Sequence, residues 1–165
     1  MTPKDCALLL RQGVSAWNEW RLAQSQNKVQ LPGVNLSGLD LTSANLTGAD
    51  LTKADLSGAD LIQTDLSSAV LDGANLQAAH FISASCRDTD FRRARFIHAT
   101  IGHSDCRGAD FRGAVFEREG HLLDCDLTST RFEEVDLSEC RFEGSKLNGA
   151  KLARARLRKA RLPSL

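Results

Sequence analysis

The side chains able to react or bind a metal are five cysteines and four histidines, and a basic run closes the sequence. Cys86 and Cys106 lie twenty residues apart and could form a redox pair or half of a metal site. No cysteine stands in a CxxC or a zinc-type Cys–His spacing, and an odd number of thiols suits a reducing compartment. His80, His98, His103 and His121 show no HExxH pattern. Ser and Asp are abundant, but no nucleophile elbow or Gly-rich phosphate loop frames them. No catalytic, cofactor or metal site is expected. The basic run is Lys146, Lys151, Arg154, Arg156, Arg158, Lys159 and Arg161, with no acid between 144 and 165. It is the candidate interaction surface, suited to a polyanion or an acidic partner. A plainly solvated end is the competing and preferred reading.

What would position these residues is a five-residue beat. In 44–65, ANLTGADLTKADLSGADLIQTD, every fifth residue is Leu. Five steps on a helix leave successive Leu about 140° apart, and five on a flat strand alternate them between faces. Only a chain that turns a corner every five residues keeps them on one side, which is a solenoid. The centres run every fifth residue from Leu36 to Phe116, slip by one residue, and resume from Leu122 to Leu162. All seven Phe fall on centres, and the residue two before a centre is usually Ala. Cys86 and Cys106 sit at centres, with Cα atoms expected about 5 Å apart and so within disulfide reach. Cys125 and Cys140 take the small inward position, and packing is the preferred role for all four. The histidines fall at outward positions. The slip, EREGH at 117–121, is expected to bulge at a corner, as a neutral insertion rather than a binding loop.

The first 28 residues lack the beat. Thr2-Pro3-Lys4-Asp5 reads as a capped helix start, with Cys6, Leu9, Leu10, Val14 and Trp17 on one face. Gly13 divides the segment, and Trp17, Trp20 and Leu22 give the second helix a bulky apolar side. A Trp-bearing helix pair suits the covering of a solenoid's raw end. Polar residues 24–28 read as the connection, giving a cap over 1–28 and a coil over 29–165.

The pattern A-(D/N)-L-x-x, as in Ala49-Asp50-Leu51-Thr52-Lys53, resembles the pentapeptide-repeat family over about four fifths of the chain. The stretch GVSAWNEWR at 13–21 is similar to the helical N-terminal caps of some bacterial members. The resemblance implies an all-β solenoid, a right-handed quadrilateral parallel β-helix with four pentapeptides per coil and a short α-helical cap. Like residues recur twenty apart (Cys86 and Cys106, Phe91 and Phe111, Phe96 and Phe116), and like side chains stack well in such ladders. The expected rod has about six and a half coils and spans roughly 31 Å.

Acidic and basic residues number 21 each, but residues 31–80 hold six Asp against one Lys. The rod is therefore acidic near its cap and basic at its far end. The expected function is a non-catalytic structural or protein-interaction module with a protein partner. The resemblance also implies an alternative, since some members mimic duplex DNA and bind type II topoisomerases; zero net charge disfavours it. Nucleic-acid binding by the basic coils is a further alternative, weakened by the lack of outward aromatics. No apolar run is long enough to span a membrane, and the N-terminus lacks a signal-peptide pattern, so a cytoplasmic location is expected. The expected state is a monomer or a weak end-to-end dimer.

Overall fold

The structure, a computed structural model, describes residues 1–24, 28–116 and 120–163. Helix α1 spans Pro3–Gln12 and α2 spans Val14–Ala23. At the start of α1 the Thr2 hydroxyl accepts from Asp5 N–H while the Asp5 carboxylate accepts from Thr2 N–H, the reciprocal capping box. Gly13, with φ 135°, ends α1 by donating its N–H to Leu10 O, and the second helix starts at once. Cys6, Leu10 and Trp17 are buried beneath the pair. Leu22 departs from the expected apolar side: it is 77% exposed, and Arg21 takes the buried place. A helix step of 100° puts residue 21, four after Trp17, on the covered face and turns residue 22 away from it.

The rest of the described chain is a right-handed quadrilateral parallel β-helix. Each bridging residue pairs in parallel with one twenty ahead, as in Asp50↔Val70, Asp55↔Asn75, Asp60↔His80 and Asp65↔Ser85, so four pentapeptides close one coil. Across the slip the separation becomes twenty-one, as in Asp105↔Asp126, and then returns to twenty with Asp126↔Lys146. Residues 117–119, where the bulge was expected, lie outside the described residues, as do 25–27 of the connection. Leu31, fully buried and bracketed by the Gln30↔Asp50 bridge, is one centre more than the count from Leu36.

Local chemistry explains the motif. The Asp or Asn before a centre turns its carboxylate or amide oxygen onto the N–H two residues ahead, as Asp50 does for Thr52 and Asp55 for Ser57. The second residue after each centre is left-handed at every described corner, from Gly33 (φ 64°) to Lys159 (φ 58°). The next N–H then closes the turn onto the centre's carbonyl, as Ala54 does onto Leu51 O at 2.9 Å. Three consecutive coils differ on one face, where β1 (His80–Ile82), β2 (Thr100–Gly102) and β3 (His121–Leu123) form a parallel sheet. There the Ser104 hydroxyl replaces the turn bond by accepting from Ala84 N–H, and Ser145 does the same for Cys125 N–H.

The interior is filled by stacked like residues. Phe91, Phe111 and Phe132 form one ladder with ring centroids 5.0 and 4.8 Å apart, and Phe96 stacks on Phe116 at 5.0 Å. Thr64, Thr89 and Ser145 occupy the small inward position and satisfy their hydroxyls on Leu41 O, Leu66 O and Leu122 O. Toward the far end Leu147, Leu152 and Leu157 are only partly buried, and Leu162 is half exposed. Among the described residues no helix is long and apolar enough to cross a membrane.

Candidate interaction surface

Each bridging residue donates its N–H to, and accepts at its C=O from, the coil before it, as Asp50 does with Val29 O and Leu31 N. The first coil has no coil before it along much of its edge, and the cap supplies the missing partners. Trp17 Nε1 donates to Asn45 O at 2.8 Å, and the Asn18 amide oxygen accepts from Asn45 N–H at 2.9 Å. The Asn18 amide nitrogen holds Ser43 O, Arg21 holds Thr47 O, and Arg11 holds Asn35 O. Helix side chains thus reproduce the bonding of an absent strand. Trp17 is fully buried and Trp20 half-buried, their rings 5.1 Å apart. Asn18, Arg11 and Arg21 were not singled out in the sequence. Their one signal is position, one helical turn or less from the cap's apolar face.

The seven basic residues project from the last coil, and five of them meet an acid from the coil below. Arg154 meets Glu134 at 2.8 Å, Arg156 meets Asp136 at 3.5 Å and Lys159 meets Glu139 at 3.6 Å. Arg161 meets Glu143 at 3.7 Å and Lys146 meets Asp126 at 3.9 Å. Among the described residues no acid lies in ion-pair reach of Lys151 or Arg158. These pairs are exposed and individually weak, near 0–1 kcal/mol each, and they offset five of the seven cations of the candidate surface. Acids one coil back were visible in the sequence once a coil of twenty residues was applied to charges.

Cys86 and Cys106 occupy neighbouring coils of one column, buried and free, with Cys125 and Cys140 also buried and free. The Cys106 thiol is raised well above its ordinary range by its hydrogen bond with Cys86 and by burial. Burial pushes Cys125 and Cys140 up to about 12. Neutral, enclosed thiols are poor nucleophiles and poor metal ligands. His80 is exposed and joined to Asp60 at 2.8 Å, His98 and His103 are exposed, and His121 is half-buried. Among the described residues no three His, Cys, Asp or Glu converge as metal ligands. An open groove of about 750 Å³ lies between α1 and the first coil, lined by Pro3, Leu8, Arg11, Pro32 and Val34. It brings none of the candidate residues together.

The family model for pentapeptide repeats matches in eight copies, over residues 30–67, 59–96, 89–118 and 125–162. The chain belongs to the pentapeptide-repeat family. No curated protein sequence matches it. Among solved structures it is similar to QnrB1, a plasmid-mediated fluoroquinolone resistance protein, with 22% identity over 81% of this chain and 72% of that one, and a TM-score of 0.45. HetL, involved in heterocyst differentiation regulation in the cyanobacterium Nostoc sp. strain PCC 7120, shares 27% identity over 81% of this chain and 70% of its own, with a TM-score of 0.32. Rfr23 from the cyanobacterium Cyanothece 51142 shares 22% over 88% and 97%, with a TM-score of 0.31. The family assignment rests on the repeat match. It accounts for the Asp turns, the Leu and Phe ladders and the left-handed corners as one unit repeated around the rod.

Proposed function

We propose that this pentapeptide-repeat protein is a non-catalytic interaction module whose partner is another protein, met in the cytoplasm. One observation carries the reading: the side chains able to do chemistry are already engaged in building the coil. The Asp carboxylates cap turns, the thiols fill the interior, and most cations pair with acids of the same or a neighbouring coil. What remains is a set of long, flat faces, suited to contact rather than conversion. Binding of nucleic acid by the basic coils is disfavoured by their ion pairs. Duplex-DNA mimicry is disfavoured because the acidic coils turn their carboxylates onto their own backbone N–H groups, as at Asp50, Asp55 and Asp65. The test is cross-linking of the whole protein in cells, with partners identified by mass spectrometry. Recovery of a protein released by substitutions on one face supports the module, and recovery of none across growth conditions counts against it. A supercoiling assay with a type II topoisomerase, expected to show neither inhibition nor protection, checks the mimicry alternative.

A further inference from the structure

Every bridging column of the rod has Asp near the cap and Arg or Lys in the last coil, and one alone carries neither Asp nor Arg in its three middle coils. That column runs from Asp40 and Asp60 through His80, Thr100 and His121 to Arg141 and Arg161, each step one coil. The acids stand toward the cap and the arginines toward the far end. Within the chain Asp40 caps Thr42 N–H, Asp60 meets His80, and Arg141 and Arg161 share the single carboxylate of Glu143, so two arginines stand against one acid. Two residues along each strand, a second column reads Thr42, Ile62, Ile82, Gly102, Leu123 and Glu143, of which Gly102 is buried. Ile62, Ile82 and Leu123 are half-buried by their own chain and open to solvent outward. This is also the face of the three-stranded sheet, and the Ile82 side chain reaches over Gly102 of its middle strand.

We infer that this face binds a second copy of the same chain, antiparallel and face to face, about a twofold axis that crosses β2. An axis lying in the interface and perpendicular to the rod reverses the order of coils and keeps each column opposite itself. Three coils either side of β2, Asp40 then faces Arg161; two coils either side, Asp60 faces Arg141 and Ile62 faces Glu143; one coil either side, His80 faces His121 and Ile82 faces Leu123. Thr100 meets its own copy at the axis, with Gly102 buried beside it against the Ile82 side chain. Twofold symmetry repeats each charge pair, so four Asp–Arg contacts flank an apolar centre. A parallel copy would instead set Asp on Asp and Arg on Arg.

The same operation fails elsewhere. On the column from Asn35 to Arg156 it sets Asp55 against Asp136 and Arg95 against itself, and on that from Asn45 to Lys146 it sets Asp65 against Asp126. On the column from Gln30 to Lys151 it sets Asp90 against itself. The contact spans six inter-coil steps, about 29 Å, along a single face. Such a strip falls at the small end of specific interfaces, so the dimer is weak and sensitive to salt. It is lateral, distinct from an end-to-end contact through the last coil, and it does not depend on which other protein the module binds.

Sedimentation equilibrium of the full chain across concentration and salt tests this. The expected result is a reversible dimer at low salt that weakens as salt rises. Asp60→Arg and Arg141→Asp, made singly, each weaken it about tenfold, because each change acts twice across the axis. The double reversal in one chain restores it, since the opposed signs are exchanged. Thr100→Arg abolishes it by placing like charges at the axis. Arginine already occupies the equivalent position at Arg95, Arg131 and Arg141, so the coil accommodates it, and circular dichroism checks the fold. A chain that stays monomeric at low salt up to the highest soluble concentration overturns the inference. So does a dimer indifferent to Thr100→Arg, or a folded double reversal that fails to recover association. A monomer leaves the interaction-module reading to its own cross-linking test.

Discussion

Replacing Trp17 by alanine tests whether the cap works as a surrogate coil. The indole is fully buried, and its Nε1 donates to Asn45 O at 2.8 Å on the edge of the first coil. Loss of a buried Trp ring costs about 3–5 kcal/mol, and an orphaned carbonyl adds about 1 kcal/mol where water cannot reach it. A central value of about 4 kcal/mol corresponds to nearly a thousandfold change in an opening equilibrium. In a solenoid each coil contacts only its neighbours, so the loss stays local. The first coil, residues 31–50, should fray while the coils tied by Phe91, Phe111 and Phe132 hold. Hydrogen exchange read by mass spectrometry separates the two regions. Amides of 31–50 are expected to lose protection by two to three decades (about 4 kcal/mol), with peptides around Phe111 unchanged. Trp17→Phe, which keeps most of the apolar area but drops the donor, is expected to cost about 1 kcal/mol in the same region. Equal loss of protection along the whole rod, or none in the first coil, would refute the surrogate-coil account.

Phe111→Ala removes the middle ring of the ladder, fully buried between Phe91 and Phe132, and is expected to cost about 3–5 kcal/mol in urea unfolding; a cost under 1 kcal/mol would mean that the ladder does not hold the coils. Hydrogen bonds from Arg107 hold the Asp105 carboxyl below its usual range, and hydrogen bonds to Ser57, Thr128 and Ser138 do the same for Asp55, Asp126 and Asp136. A depressed folded value means that the unfolded chain takes up protons first. The urea midpoint should therefore be level above about pH 5 and fall below about pH 4; a level profile to lower pH contradicts the turn role. Cys125 and Cys140, raised to about 12, stay neutral while the unfolded thiols ionise, so stability should decline as pH rises above about 9. Cys140→Ala should flatten part of that decline, and a thiol reagent at neutral pH should label none of the five until urea unfolds the chain.

The coil was legible because its rule is local and repeated. Each pentapeptide restates the same constraints: a small residue and a Leu or Phe inward, an Asp or Asn to cap the turn, and a corner residue able to adopt the left-handed region. The Phe positions followed from the beat alone, and the twenty-residue coil followed from like residues recurring at that interval. The cap was legible in outline, with Thr2, Gly13 and Trp17 read from their types, but Leu22 was not. An exposed Leu beside a buried Arg21 reflects which helix face the first coil's carbonyls demand, and that demand is tertiary. The acids beneath the basic end are legible only after the twenty-residue coil is applied to charges. Lys159 has no acid within reach along the chain, yet Glu139 lies directly beneath it, one coil back.

Of the five positions in a repeat, two are committed to the interior, one to the turn-capping oxygen and one to the left-handed corner. Only the residue just after the centre is free of backbone duty, so differences between faces concentrate there. On two faces that position holds Arg92 and Arg112, or Arg87 and Arg107, and each guanidinium turns back onto the carboxylates of its own column: Asp90, Asp110 and Asp105. On a third it holds Ser37, Ser57 and Ser138, whose N–H groups receive the turn-capping oxygens. On the fourth it holds Ile62, Ile82, Gly102 and Leu123, which satisfy no partner of their own. Residues there are half-buried by their own chain, and Ile82 covers Gly102, so part of their apolar area is already used within the coil. The same position holds Ile97 on the third face, where it is buried. What sets the fourth face apart is therefore apolar area that stays half open between Asp toward the cap and Arg toward the far end, and that open area is what the inferred contact would cover.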